Sequence, residues 1–402
     1  MGSPRPVQQV EPERSQPSRY GVYVHFPYCI SKCPYCDFAS VVAREIPHAR
    51  YARAIEAELE LRAGEHRREK VESIYFGGGT PSLWEPSYVG ATIRAIERLF
   101  GIAEGCEVTL EANPGASEAA RFAAYFDHGV NRLSIGIQSF EAPVLSGLGR
   151  AHGAEEALRA VEAARKAGFE NVSIDLIFGG PHQDLEGAVR DAERAVSLGV
   201  EHISCYGLTL ENLAEDVRLA KDVRRGRVRV ADDELQVQMG ERVREVFRAA
   251  GYARYEISNY ARPGFESRHN TLYWVGNEWV AAGCGAHGFF RLPDGSGLRY
   301  HNPRKPEAYL AAVEAGRHPE VEREPIDTTT LFEERIFLGL RLARGLDLEA
   351  AARETIGEVP ASTWEAAERL VASGLLRREG SWIACTDLGL DFHSEVALRL
   401  LP

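Results

Sequence analysis

Six short apolar runs of strand character recur along the first half of the chain, at residues 21–25, 72–76, 106–111, 131–136, 171–176 and 201–208, and helix-length stretches such as Ala52–Ala63 separate them. Such alternation means parallel βα units, because consecutive parallel strands need a long crossover between them. The expected class is therefore α/β. In folds of this kind ligands bind where strands end and loops begin, which directs attention to the motifs at the strand ends.

With 402 residues, 44% hydrophobic and 26% charged, the chain is ordinary globular material for two to three domains. A net charge of -12 argues against nucleic acid as the principal partner, since binding a phosphate backbone requires an excess of Lys and Arg. Residues 1–19 are rich in Pro, Gln, Glu and Arg and lack the apolar core of a secretion signal, so a disordered leader is expected. No apolar run approaches the roughly 18 residues of a membrane span, which points to a cytoplasmic chain with at most peripheral membrane contact. In a reducing compartment the 7 cysteines are not a disulfide framework. Four of them, Cys106, Cys205, Cys284 and Cys385, are dispersed and read as buried, inert thiols.

The other three are clustered. Cys29, Cys33 and Cys36 follow the first strand as C-x3-C-x2-C, and Pro27 and Pro34 disfavour a helix through them, so the thiols sit on a loop. One reading is zinc, with His25 as a fourth, tetrahedral ligand. The stronger reading is a [4Fe-4S] cluster held by three thiolates, with no fourth suitably spaced cysteine. Its open iron would chelate the amino and carboxylate groups of S-adenosylmethionine (SAM). Reduction would then cleave a carbon–sulfur bond to give a 5′-deoxyadenosyl radical, with the protein supplying orientation and exclusion of water.

Further motifs close the later strands. "YFGGGTPS" removes side chains at Gly77, Gly78 and Gly79, either for a tight turn or for close approach of a ligand. In "LEANPG", Glu111 is a solvated carboxylate or an acceptor for two ribose hydroxyls. Gln138 ends "NRLSIGIQSF", and Arg150 in "GLGRAH" has the planar fork that suits a carboxylate. Asp175 lies among apolar neighbours in "VSIDLIFGG" and needs either a structural partner or a ligand.

Taken together, C-x3-C-x2-C after a first strand resembles the signature of radical SAM proteins. Tyr35 and Asp37-Phe38 resemble the branch that contains oxygen-independent coproporphyrinogen III dehydrogenase and its relative, the heme chaperone. The resemblance implies a partial (β/α)6 barrel. It also implies SAM contacts at Tyr23, Tyr35, Gly78, Gly79, Thr80, Glu111, Gln138, Arg150 and Asp175. The chain departs from the family after Asp175, where Gly179-Gly180-Pro181-His182-Gln183 replaces the usual Gly-Leu-Pro-Gly-Gln.

The dehydrogenase, an enzyme of porphyrin metabolism, has a fourth cysteine where this chain has Phe38. The chaperone has His-Asn-x-x-Tyr-Trp, matched here by His269, Asn270, Tyr273 and Trp274. That motif is either an aromatic core segment with a bonded histidine or a heme site with His269 as axial ligand. The resemblance favours a heme chaperone with a [4Fe-4S] cluster, SAM and heme as its cofactors. The implied recipients are apo-hemoproteins, above all respiratory cytochromes; the dehydrogenase activity is the alternative. Residues 20–300 are expected to form the barrel with its extension. Residues 301–402 are expected to form a smaller winged-helix-like α+β domain, with helices at 347–355 and 361–373 ahead of a strand pair and a last helix.

Overall fold

The computed structural model describes residues 20–65, 70–210 and 217–402. The expected leader at 1–19 lies outside the described residues. A twelve-stranded sheet organises most of the chain. Its first six strands are β1 (Tyr20–Phe26), β2 (Val71–Gly78), β3 (Ile102–Ala112), β4 (Arg132–Gln138), β5 (Asn171–Phe178) and β6 (His202–Gly207). They run parallel in sequential order with helices between them, the expected partial barrel. The remaining strands are β7 (Ala253–Arg254), β8 (Asn259–Ala261), β9 (Glu278–Ala282), β10 (His287–Arg291), β11 (Gly297–His301) and β12 (Glu322–Ile326). β9 adds a further parallel strand beside β1, while β10, β11 and β12 continue that flank antiparallel. β8 and β7 close the flank beyond β6.

Each of the first six strands has two phases. The apolar phase, for example Val22 and Val24, Ile74 and Phe76, Leu133 and Ile135, and Val172 and Ile174, is buried in one large core with the covering helices. Helix α1 (His48–Arg62) shows why it packs there: Tyr51, Ile55 and Leu59 recur every four residues and form one buried stripe. The opposite phase is polar and bonds across strands. Tyr75 donates to Glu111 (2.8 Å), Ser134 donates to Asp175 (3.2 Å), and Ser173 bonds His202 (2.7 Å). Apolar residues on one face and hydrogen-bonded polar residues on the other produce a sheet with a polar interior.

The division expected between residues 300 and 301 falls within β11, and the large sheet runs on to Ile326. The connecting helix Pro306–Glu314 also belongs to the main core through Tyr309, Leu310 and Val313. A second core gathers from Phe332 to Leu400 around a three-stranded antiparallel sheet of Leu346–Asp347, Leu376–Glu379 and Trp382–Cys385. With helices Thr328–Gly339, Leu348–Arg353, Ala361–Ala372 and His393–Leu400 this is the expected winged-helix-like arrangement. Cys106, Cys205, Cys284 and Cys385 are all buried, as expected of inert thiols, and burial raises each of their pKa values.

Candidate functional site

The cysteine loop leaves the end of β1 and is pinned at both ends by backbone bonds. Val41 N–H donates to Pro27 O (2.8 Å) and Ala43 N–H to Cys29 O (3.0 Å), while Cys36 N–H to Cys33 O (3.1 Å) closes a turn after Pro34. Cys29 is buried, Cys33 and Cys36 are half-buried, and all three are unpaired thiols. The glycine-rich end of β2 packs directly against this loop. Gly79 N–H donates to Phe26 O (2.7 Å) and Thr80 N–H to Tyr28 O (3.0 Å). A Cβ on Gly79 would lie 2.8 Å from the carbonyl carbon of Pro27, and one on Gly78, at φ 117°, would lie 2.7 Å from the His25 ring. These glycines are therefore required by close packing of the loop.

A cavity of about 570 Å³ opens beside the loop at the strand ends. It is lined by Cys29, Cys33 and Cys36 and by Tyr35, Gly78, Gly79, Thr80, Glu111, Gln138, Arg150 and Asp175, eight of the nine expected SAM contacts. Tyr23 is the exception. Its hydroxyl bonds His25 Nδ1 (2.9 Å), and it lines a different cavity.

Within the site, Glu111 accepts from the Tyr75 hydroxyl (2.8 Å) and from Gly78 N–H (3.1 Å), and burial raises its pKa to about 7. Burial likewise raises that of Asp175 to about 6, against the pull of Arg132, the Ser134 hydroxyl and Arg150. Arg150 donates to Asn113 Oδ1 (2.6 Å), Gly136 O (2.8 Å) and Cys33 Sγ (3.5 Å), which fixes its guanidinium between the cysteine loop and the sheet. Gln138 has a φ of 71°, a conformation an L-residue adopts at some cost, and this turns its side chain into the cavity as the strand ends. The unusual turn after Asp175 is stabilised locally. Gly179 and His182 take positive φ (74° and 63°), and Gln183 bonds both Gly180 N–H (3.3 Å) and Asp191 (2.9 Å). Asp175 still faces the cavity.

The sequence reading missed Asn113, Tyr75, Ser134 and Tyr206, which line the same cavity. Tyr75, Ser134 and Tyr206 stand two or four residues from other inward polar groups on their strands, and that spacing was available as a signal.

His25 and His269 are both fully engaged. His25 Nε2 bonds Ala39 O (2.8 Å) while its Nδ1 takes the Tyr23 hydroxyl, and its ring lies outside the cysteine cavity. No three His, Cys, Asp or Glu side chains among the described residues are grouped to hold a single metal ion. His269, 1% exposed, sits on helix α2 (Arg268–Trp274), with Nδ1 on the Ser73 hydroxyl (2.8 Å) and Nε2 on the Tyr273 hydroxyl (2.7 Å). As folded, neither of its ring nitrogens is open to an iron.

Residues 23–195 match the radical SAM superfamily and residues 326–392 the HemN C-terminal domain. The chain is 35% identical over 385 residues to the heme chaperone HemW of Mycobacterium tuberculosis, covering 95% of each chain. It is 38% identical over 314 residues to HemW of Escherichia coli, covering 78% of this chain and 80% of that one. It is 35% identical over 393 residues to the mitochondrial radical S-adenosyl methionine domain-containing protein 1 of Bos taurus, covering 95% and 87%. Among solved structures, the coproporphyrinogen III oxidase HemN of Escherichia coli superimposes with a TM-score of 0.80 over 96% of this chain and 90% of that one; at 19% identity this likeness is one of fold. Cysteine loop, glycine turn, polar strand ends and winged-helix-like domain, together with similarity along nearly the whole length, make this chain a member of the radical SAM family of HemW-type heme chaperones.

Proposed function

We propose that the chain binds a [4Fe-4S] cluster through Cys29, Cys33 and Cys36, binds SAM in the adjoining cavity, and carries heme to apo-hemoproteins of the cytoplasm and inner membrane, respiratory cytochromes among them. The observation that carries this reading is the meeting in one cavity of three unpaired thiols with Glu111, Arg150 and Asp175. The donor set fits the cluster. The three thiols come from one loop and line one cavity, the soft donor set that holds an iron–sulfur cluster.

Bound there, the cluster supplies an electron source beside the sulfonium of SAM. The chain's own residues do the rest. Glu111 offers carboxylate oxygens to ribose hydroxyls, and Arg150 offers guanidinium N–H groups to a carboxylate. Thr80 and Arg150 already hydrogen-bond cysteine sulfurs, at 3.5 Å each, which orients the loop before anything binds. No helix among the described residues is long and apolar enough to cross a membrane, so contact with membrane-bound recipients would be peripheral.

The test is anaerobic reconstitution followed by side-by-side assays of heme transfer and coproporphyrinogen III turnover. The expected outcome is co-assembly of iron and labile sulfide that is lost in Cys33→Ala, heme transfer to an apo-cytochrome, and no protoporphyrinogen. Formation of protoporphyrinogen at a catalytic rate would replace the chaperone reading with the enzymatic one, and zinc without sulfide would remove the cluster.

A further inference from the structure

A second and larger cavity, about 820 Å³, lies between the β1–β9–β10 flank of the sheet and the first helix of the C-terminal domain, Thr328–Gly339. Its walls are aromatic, with Tyr273 and Trp274 from α2, Trp279 from β9 and Phe337 from the C-terminal helix. One imidazole is available in it. His287, on β10, is exposed, and neither of its ring nitrogens makes a hydrogen bond among the described residues. His25, also on this wall, and His269, behind it, have both nitrogens taken.

The His287 ring is nevertheless held in place. Its backbone carbonyl accepts from the Trp279 indole (2.6 Å), and its ring stacks on His301 with centroids 5.1 Å apart and planes 17° apart.

Charge is also placed for an amphipathic guest. Arg304 reaches the cavity with one N–H committed to Asp37 O (2.7 Å), which leaves guanidinium donors over, whereas Arg299 is held by both oxygens of Glu334 (2.7 and 2.9 Å). The wall also carries Asp37, Glu333 and Glu334, the last paired with Arg299, so a flat apolar body and a Lewis-acidic centre are what it complements, with Arg304 the cation left for one peripheral carboxylate.

We propose that this cavity is the tetrapyrrole site, with His287 as axial ligand to heme iron, Trp279 and Phe337 against the macrocycle, and Arg304 on a propionate. The assignment rests on the heme-chaperone reading and adds to it where the heme sits. Phe38, 67% exposed, lines both this cavity and the cysteine cavity, so it stands between the proposed heme and the cluster loop.

The experiment is titration of the full chain with hemin and, separately, with metal-free protoporphyrin, comparing wild type, His287→Ala, His287→Met and His269→Ala, with near-UV circular dichroism on each. Expected is a histidine-ligated spectrum in wild type and in folded His269→Ala. Loss of that spectrum with about a tenfold or greater fall in hemin affinity is expected in His287→Ala. His287→Met should restore binding with the altered spectrum of a thioether ligand, and metal-free porphyrin should bind wild type and His287→Ala alike. An unchanged hemin spectrum in His287→Ala overturns this site while leaving the chaperone reading intact. An equal loss of metal-free porphyrin in His287→Ala also overturns the ligand assignment, because collapse of the cavity would then explain it. Failure of wild type to bind hemin overturns the chaperone reading and the site together.

Discussion

Glu111 and Asp175 are buried carboxylates on the wall of the cysteine cavity, and their burial has a cost. Burial lifts their pKa values from 4.5 to about 7 and from 3.8 to about 6, so the folded chain holds protons that the unfolded chain releases between those limits. A folded pKa above the unfolded one means that the contribution of these two groups to stability is greatest below about pH 4 and falls as pH rises towards 7. Glu111→Gln keeps an acceptor for Tyr75 and removes the charge. In cofactor-free protein it should raise stability at pH 8 by about 1–3 kcal/mol and flatten the decline between pH 4.5 and 7. Urea melts at pH 5 and pH 8 read both effects. A variant that declines in parallel with wild type would mean that Glu111 is ordinarily ionised and that its carboxylate is not held in reserve for a ligand.

At the scale of the elements, the His-Asn-x-x-Tyr-Trp segment closes one end of the polar interior. Glu107 on β3 accepts from the first N–H groups of α2, those of Arg268 and His269 (3.1 Å each), and lies 4.0 Å from the buried Arg132. One carboxylate thus caps a helix and balances an interior cation. Glu107→Ala should cost about 3 kcal/mol or more in chemical denaturation, because it leaves Arg132 without this ion pair, and Glu107→Gln should lose less because the cap survives. Equal losses in the two variants would show that only the charge matters. This arrangement also marks how far the sequence could be read. The outward phase of the six strands was legible because helices bury it and apolar residues repeat at period two. The inward phase was overlooked, since Ser73, Glu107, Arg132 and His202 look like interruptions of a strand until their partners across the interior are known. The i, i+4 spacing of His269 and Tyr273 already put them on one helical face, but Ser73 is 196 residues away and nothing local points to it. The eight cavity residues were found because family motifs sit at strand ends, and β12 was missed because Glu322-Arg323-Glu324-Pro325-Ile326 has no apolar alternation.

Across the whole molecule, two cores meet over α2. Arg341, just beyond the first C-terminal helix, donates to the fully buried Glu256 (3.2 Å) and lies 4.3 Å above the Trp274 ring, while Arg335 donates to Val275 O. Arg244 and Arg254 of the main body reach across to Asp391 (2.5 and 3.1 Å). Ion pairs and one stacked cation hold the C-terminal domain where Phe337 can wall the larger cavity, and none of the described residues that line the cysteine cavity comes from that domain. The two sites should therefore respond differently when the domain is loosened. Among the described residues, Arg341→Ala leaves Glu256 with the Ser258 and Asn259 donors and should cost about 2–3 kcal/mol. The loss should appear first as faster hydrogen exchange across residues 328–400, since the docking contacts fail before the sheet does. Hemin affinity should fall with it, while iron, labile sulfide and SAM binding stay at wild-type levels. Parallel loss of cluster and heme in Arg341→Ala would instead mean that the two bodies unfold as one cooperative unit, and that the C-terminal domain supports the cysteine loop as well as the wall of the larger cavity.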